Sequence, residues 1–363
     1  MKILFLSHTH TFGAFRVGSH HLSRQLARRG HTVVHYSTPL SLPHRLLHRG
    51  EIGAEGPVPH HPVVDEAGVT HLVPATVAPA GVAVPRITSH LTRYRLPTRY
   101  DALLIDQPLL WMPHLHQLAD IVIFRPTDLS PTWRKVDLER RIVGQADAVL
   151  ATSQTVLDAL GPLRVPAFVL ENGVEFDRFP QLTDAARPRA AIYIGALDER
   201  FDLVGVIAWA HAIPDCQFWI AGPGAPPTEN LPTNLHFIGA VSYECVPELL
   251  YTARVGLLPL SLNPQNEGRC PMKFYEYLAA GLAVVSRATP GLREDRASGV
   301  FTYDTKTDAV SVLNKALAHP SPNHAGRDRA SRQSWSSRAA ILNELILALA
   351  SGQTFAVERL DTR

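Results

Sequence analysis

Cysteine is scarce: the 363 residues hold three, Cys216, Cys245 and Cys270. An odd count without metal-like spacing excludes a disulfide framework and a cysteine-built zinc site, and a reduced, cytoplasmic setting is expected. No Asp-x-Asp pair occurs, so a common carboxylate motif for holding Mg²⁺ or Mn²⁺ is missing, and neither a metal nor a cofactor is expected. No run of about 18 apolar residues occurs, so no membrane-spanning segment is expected. Met1-Lys2 leads into ILFLSH, too short an apolar stretch for the core of a secretory signal. Net charge is only +2, too small for a general nucleic-acid binder. With 45% apolar and 19% charged residues the chain is neither disordered nor fibrous.

What charge there is lies unevenly. Residues 1–100 carry 11 Lys and Arg against 4 Asp and Glu, and 14 of the 18 histidines precede residue 117. A basic first half suits an anionic ligand or membrane surface; a solvated arginine-rich face is the plainer alternative. Arg45, Arg49, Arg86, Arg93, Arg95 and Arg99 with Leu46, Leu47, Leu91, Tyr94 and Trp111 would form a basic, partly apolar face. Peripheral membrane contact through this half, at the inner face of a membrane, is the matching expectation.

The length suggests two domains. Short apolar runs, such as Lys2–Ser7 and Ala148–Ala151, alternate with amphipathic stretches, such as 18–29 and Trp133–Gly144. Residues 38–68, rich in Pro, His and Gly, read as a long loop with a short helix near Arg45–His48. After a polar linker over 184–189 the pattern restarts at Ala190–Ile194. The expected fold class is α/β: two doubly wound parallel-sheet, Rossmann-like domains facing across a cleft. Expected boundaries are 1–183, 189–334 and 335–363. The last holds a helix over Trp335–Ala350 whose apolar face is expected to cross back to the first domain. Ligands of such sheets sit beyond the carboxyl ends of the strands. The candidate loops therefore include His8–Ser19, Pro126–Thr132, Gly195–Arg200, Gly239–Tyr243 and Pro259–Pro271.

The strongest local signal is the block Glu267-Gly-Arg-Cys-Pro-Met-Lys-Phe-Tyr-Glu-Tyr-Leu-Ala-Ala-Gly281. Pro271 suits a first helical position, and the helix N-terminus beyond it is a ready anion site. Lys273 in the first turn opposes the helix dipole unless an anion bridges both. Glu276 lies on the same face, where a carboxylate can accept two ribose hydroxyls. The plain alternative is an amphipathic helix with an i,i+3 ion pair.

Met272 to Gly281, followed by Ala283-Val284-Val285, resembles the donor-site helix of GT-B glycosyltransferases. Ala190–Ile194 with Gly195-Ala196-Leu197 resembles the opening strand and turn of that family's nucleotide-sugar domain. The stretches 213–224 and 234–239 resemble the next two strand–turn elements. Leu170–Phe179 is similar to the segment closing the first domain, and Trp335–Ala350 to the crossing terminal helix. The resemblance covers nearly the whole chain. It implies transfer of a sugar from a nucleotide diphosphate donor, a UDP-sugar foremost, to an acceptor hydroxyl. The implied acceptors are a carbohydrate, a lipid-linked glycan or a small natural product.

Departures bear on the subclass. Eight residues separate Glu267 from Glu276, one more than in retaining members of the commonest family. The family holds the diphosphate with a basic pair where the stretch Asp198-Glu-Arg-Phe-Asp202 leaves Arg200 as its single cation, so the resemblance implies that Lys273, with Arg269, takes much of that load. This pattern is similar to the inverting, metal-independent glucuronosyltransferases of xanthan gum assembly, in which a Met-Lys pair opens the helix and a first-domain Asp is the base. That resemblance implies Asp128 as general base and Lys273 as diphosphate stabiliser. Asp128 in Asp-Leu-Ser-Pro is also good turn chemistry.

Donor-binding residues are expected at Gly195, Arg200, Phe237, Tyr243, Glu267, Arg269, Met272, Lys273 and Glu276; Phe237 also reads as ordinary core. Acceptor-binding residues are expected at His10, Gly13, His20, His21 and Arg125, with His20 or His21 a rival base. The histidines lack a nearby Cys or carboxylate to complete a zinc site. The alternatives are retaining transfer with Glu267 holding the donor sugar, a nucleotide-sugar epimerase, and a non-catalytic nucleotide-sugar binder.

Overall fold

Ile3 to Leu6 are all fully buried, and a strand covered on both faces is continuously apolar. This segment, β1 (Lys2–Ser7), is an inner strand of a parallel sheet. The computed structural model describes residues 1–13, 15–47, 52–53, 56–82, 84–183, 185–224 and 231–353. The chain divides into two compact units: Met1–Glu171 with Trp335–Arg363, and Asn172–Ser334.

Unit 1 is built on an eight-stranded sheet. Its strands after β1 are β2 (Thr32–Ser37), β3 (Val63–Val64), β4 (Thr70–Leu72), β5 (Tyr100–Ile105), β6 (Ala119–Phe124), β7 (Ala148–Ala151) and β8 (Ala167–Val169). The order is β8-β7-β6-β5-β1-β2-β4-β3. All pairs are parallel except β3 with β4. Helices α1 (Gly18–Arg28), α2 (Ile87–Arg93) and α3 (Trp133–Val143) follow strands in the alternating pattern. The side chain of Thr132 caps α3 by accepting from Lys135 N.

Unit 2 carries a six-stranded, all-parallel sheet: β9 (Ala190–Ile194), β10 (Gln217–Ala221), β11 (Leu235–Gly239), β12 (Val255–Leu258), β13 (Ala283–Arg287) and β14 (Val300–Tyr303). The order is β11-β10-β9-β12-β13-β14. Helices α4 (Leu203–Ala212), α5 (Met272–Ala279), α6 (Lys306–Leu317) and α7 (His324–Ser331) belong to it, with a short helical turn at Val246–Leu250. Side chains alternate across the sheet. Ile192, Ile194 and Val284 pack with α5, while Ala191, Phe218 and Val285 pack with α4 and α6. Gly256 lets the Tyr277 ring of α5 lie flat on β12; a Cβ there would overlap the ring. Tyr277 Oη in turn accepts the Ile194 N–H at 3.0 Å.

The terminal helix α8 (Trp335–Ala350) belongs to unit 1. His21 stacks on Trp335 with ring centroids 4.9 Å apart, Arg29 donates to Ser336 O at 3.1 Å, and His31 bonds Asn343 at 2.7 Å.

The expected α/β class with two parallel sheets is the class found. Residues 38–68 are less irregular than composition suggests. Leu40–Ser41 pairs with Ala75–Thr76, Ile52–Gly53 pairs with Gly56–Pro57, and the short helix lies at Leu42–Leu46. Helix α2 is unannounced in sequence, because only Ile87 and Leu91, one turn apart, are buried.

The basic, partly apolar face does not assemble as expected. Leu91 is fully buried, Tyr94 donates to His60 O at 2.6 Å, and Trp111 packs against the core beneath Arg141. Leu46 and Leu47 are exposed. Arg49 and the Arg45 side chain lie outside what is described. Among the described residues no helix is long and apolar enough to cross a membrane.

Candidate functional site

In unit 2 the loops beyond the carboxyl ends of β9, β10 and β11 are stitched together. Gly195 N donates to Ala221 O at 2.8 Å, Leu197 N to Pro223 O at 3.0 Å, and Gly222 N to Gly239 O at 2.7 Å. Gly222 adopts φ 149°, and a Cβ there would collide with the Gly195 carbonyl, so the close approach requires glycine.

Helix α5 points its N-terminus at this edge. Its first residue is Met272, one later than expected. Pro271 is the N-cap, with extended backbone (ψ 124°) and no side-chain acceptor for the first turn. The other end is well supplied with cations. Arg327 donates to Ala279 O, and Arg187 donates to Ala280 O at 2.6 Å. A Cβ placed on Gly195 would lie 3.2 Å from Lys273 Cε, which puts the ammonium stem against the first turn after β9.

Asn266, fully buried, organises the approach to the helix. Its Nδ2 donates to the carbonyls of Arg200 and Ser261, each at 3.0 Å, and its Oδ1 receives Arg269 Nη1 at 3.5 Å. Arg200 and Arg269 are thereby held near each other and near Tyr193, whose phenol is pushed up to about 12, mainly by burial. Arg200 forks onto Asp198. Burial acts to raise the Asp198 pKa, but the Arg200 hydrogen bonds prevail and hold it below its usual value. Burial lowers the Lys273 pKa; Glu276 opposes this and Arg269 adds to it. Two cations that feel each other's charge at the positive end of a helix suit an anion.

Tyr243 is tied into the same region. Its hydroxyl donates to Glu175 at 2.8 Å, and the Arg178 guanidinium sits 3.7 Å from its ring centroid. Its phenol is raised, chiefly by burial and then by the charges of Glu276 and Glu175. Asn172 closes this side with Nδ2 donating to Cys270 O at 2.7 Å. Glu267 is engaged by Arg287 Nη2 at 2.7 Å, a partner 20 residues away that no local pattern reveals. The structure thus brings together Gly195, Arg200, Arg269, Met272, Lys273, Glu276 and Tyr243, with Glu267 on the same loop. Phe237 stands apart, packed on the core layer of α4 and α6 across the sheet.

In unit 1, Asp128 lies exposed in the loop after β6. Thr127 Oγ1 lies 3.2 Å from both Asp128 Oδ2 and His8 Nε2, linking the ends of β1 and β6. His8 falls to about 4, chiefly through burial and then the charges of Lys135 and Arg125, so it is neutral at neutral pH. His8 and Thr127 lie in the candidate loops His8–Ser19 and Pro126–Thr132 that follow β1 and β6; the link through Thr127 between His8 and Asp128 is not visible in the sequence. Thr152 pins the loop through Oγ1 to Thr127 O at 2.8 Å.

Three expected acceptor residues have structural roles instead. Arg125 is 1% exposed and bonded to Asp106 at 3.0 Å, a buried ion pair. Both ring nitrogens of His20 are used by the fold, Nδ1 by Val17 N at 3.2 Å and Nε2 by Thr9 O at 3.0 Å. That removes it as a rival base. His21 is buried under Trp335. His10 is buried beside Phe12, and Gly13 lies over its ring. Among the described residues no cluster of three His, Cys, Asp or Glu is arranged to hold a metal.

Residues 189–318 match the family model of glycosyl transferases group 1. A protein of Bacillus subtilis (strain 168) named as a teichuronic acid biosynthesis glycosyltransferase, TuaH, is 26% identical over 242 residues. That match covers 60% of this chain and 59% of the relative. Among solved structures, sucrose-phosphate synthase from Thermosynechococcus elongatus gives a TM-score of 0.75 at 16% identity, covering 97% of this chain and 100% of that one. Anabaena HepE in complex with UDP and glucose gives 0.69 at 14% identity, covering 96% and 100%. The architecture is that of GT-B glycosyltransferase structures, and its second unit carries the group 1 match.

Proposed function

We propose that the chain is a glycosyltransferase that moves a sugar from a nucleotide diphosphate donor, UDP-linked in this reading, to an acceptor hydroxyl with inversion. One observation carries the reading: Lys273, Arg269 and Arg200 gather with the N-terminus of α5 around the Gly195 turn, inside the segment that matches group 1. Negative charge growing on a departing diphosphate is stabilised by such fixed cations and N–H dipoles. They supply what a divalent cation supplies elsewhere, so no metal or cofactor is required. Glu276 accepts the ribose hydroxyls, and Tyr243 borders them. HepE, solved with UDP and glucose, supports a uridine donor.

In unit 1, Asp128 removes the proton from the acceptor hydroxyl as that oxygen attacks the anomeric carbon. The engagement of Glu267 by Arg287 favours this inverting route over retention with Glu267 on the donor sugar. The likeness to the xanthan-type glucuronosyltransferases rests on Met272-Lys273 and Asp128. The acceptor is a carbohydrate, a lipid-linked glycan or a small natural product.

The test is the anomeric configuration of the product against the donor, read by NMR, with Asp128→Asn alongside. Inversion, together with loss of turnover at unchanged nucleotide affinity, supports the reading. Retention, or full turnover by the variant, rejects it. Donor consumed without acceptor would instead identify an epimerase, and binding without turnover a non-catalytic binder.

A further inference from the structure

Unit 1 holds a cavity of about 370 Å³ past the carboxyl ends of β2 and β5, of a size that takes a small organic ligand. Its walls are mainly apolar, with Pro39, Val77, Ala78, Val84 and Leu110 among them. Val77 and Val84 are 81% and 55% exposed, an apolar surface with nothing laid over it among the described residues. Polar groups lie within this lining: Tyr36, His90 and Arg86. Tyr36 Oη and His90 Nδ1 are 2.7 Å apart. With the phenol as donor, the imidazole accepts at Nδ1, carries its proton on Nε2 and has that one N–H left to donate. Arg86 is exposed and makes no ion pair with any described carboxylate.

We infer that this cavity binds an amphiphilic ligand with an apolar body and one acidic group, the body between the valines and prolines and the acid on Arg86 and His90. A free sugar does not suit such walls, because its hydroxyls would lose water without gaining partners. An acid balances a guanidinium that no described carboxylate neutralises. Calling this ligand the acceptor rests on the transferase reading; the binding site itself does not.

An aromatic carboxylic acid and a polyprenyl phosphate share this chemistry, and competition separates them. The full chain is titrated with 8-anilinonaphthalene-1-sulfonate, followed by fluorescence, then challenged with 2-naphthoic acid or farnesyl phosphate. One saturable site per chain is expected. Ala78→Trp, which fills the cavity, abolishes it. Arg86→Gln, at an exposed position that leaves folding intact, weakens it by about tenfold. Displacement by 2-naphthoic acid identifies an aromatic acid, and displacement by farnesyl phosphate a lipid carrier. No saturable binding, binding unchanged in both variants, or displacement by neither compound overturns the inference. UDP binding is measured on the same samples. Its loss alone rejects the donor site and leaves the cavity standing, and the converse result rejects the cavity alone.

Discussion

Gly195 leaves its side-chain space to Tyr193 and Lys273: a Cβ on that glycine would overlap the Tyr193 hydroxyl and stand 3.2 Å from Lys273 Cε. The first turn after β9 and the first turn of α5 are therefore fitted to each other. Gly195→Val should displace the ammonium and weaken binding of a nucleotide diphosphate by about tenfold or more, roughly 1.4 kcal/mol. Titration calorimetry with UDP checks this. Unchanged affinity would mean that the turn does not position the lysine.

Asp128 is exposed and shares Thr127 with His8. A general base contributes about 10² to 10⁴ in rate. Asp128→Asn should therefore lower kcat on that scale and leave the Kd for UDP unchanged. Steady-state kinetics beside a binding titration separate the two effects.

The Arg125–Asp106 pair is a matter of stability. Both side chains are buried, and burial lifts Asp106 to about 6 even with the guanidinium pulling it down. Removing one partner strands the other, at a cost of about 3–5 kcal/mol. Arg125→Met should lower the denaturation midpoint sharply, and the double variant with Asp106→Leu should recover part of the loss. A midpoint like that of wild type would refute the structural role.

Unit 1 clusters buried histidines. The rings of His20 and His35 are 4.8 Å apart and those of His35 and His71 5.4 Å. Burial, the leading cause, lowers all three below the usual 6.5, and His8 to about 4. Unfolded, these rings take protons below about pH 6.5; folded, they resist. The unfolded state then binds more protons, and stability falls as pH drops from about 6.5 toward 4. Asp106, raised to about 6, and Glu139, also raised by burial, work against this in the same window, but the four histidines outweigh the two carboxyls. Thermal unfolding from pH 7.5 to 4.5 should show a falling Tm, and His35→Phe should flatten the slope. A flat wild-type profile would contradict it.

Where the periodicity is strong the sequence is legible. Lys2–Ser7, Ala148–Ala151, Ala190–Ile194 and Trp335–Ala350 carry uninterrupted apolar patterns and have the expected bounds. The block at 267–281 is legible because helix-start chemistry and charge sit within a few residues of one another. What stays hidden depends on partners distant in sequence. His20 looks available until Thr9 O and Val17 N occupy its two nitrogens, and His21 until Trp335 covers it. Glu267 shows no sign of Arg287, nor Arg125 of Asp106. Helix α2 offers only two inward side chains, too few to set a period.

The proposed donor site depends on an anion site built by Lys273 at the start of α5. Thermal-shift titration with UDP, GDP, dTDP, ADP and CMP, without added metal, on wild type and Lys273→Ala tests it most directly. At about 100 times its Kd a bound nucleotide adds roughly 2.7 kcal/mol, which is several degrees for units of this size. The expected result is a shift with one diphosphate, UDP foremost, that largely disappears in Lys273→Ala. No shift with any nucleotide, or equal shifts in both proteins, would contradict it.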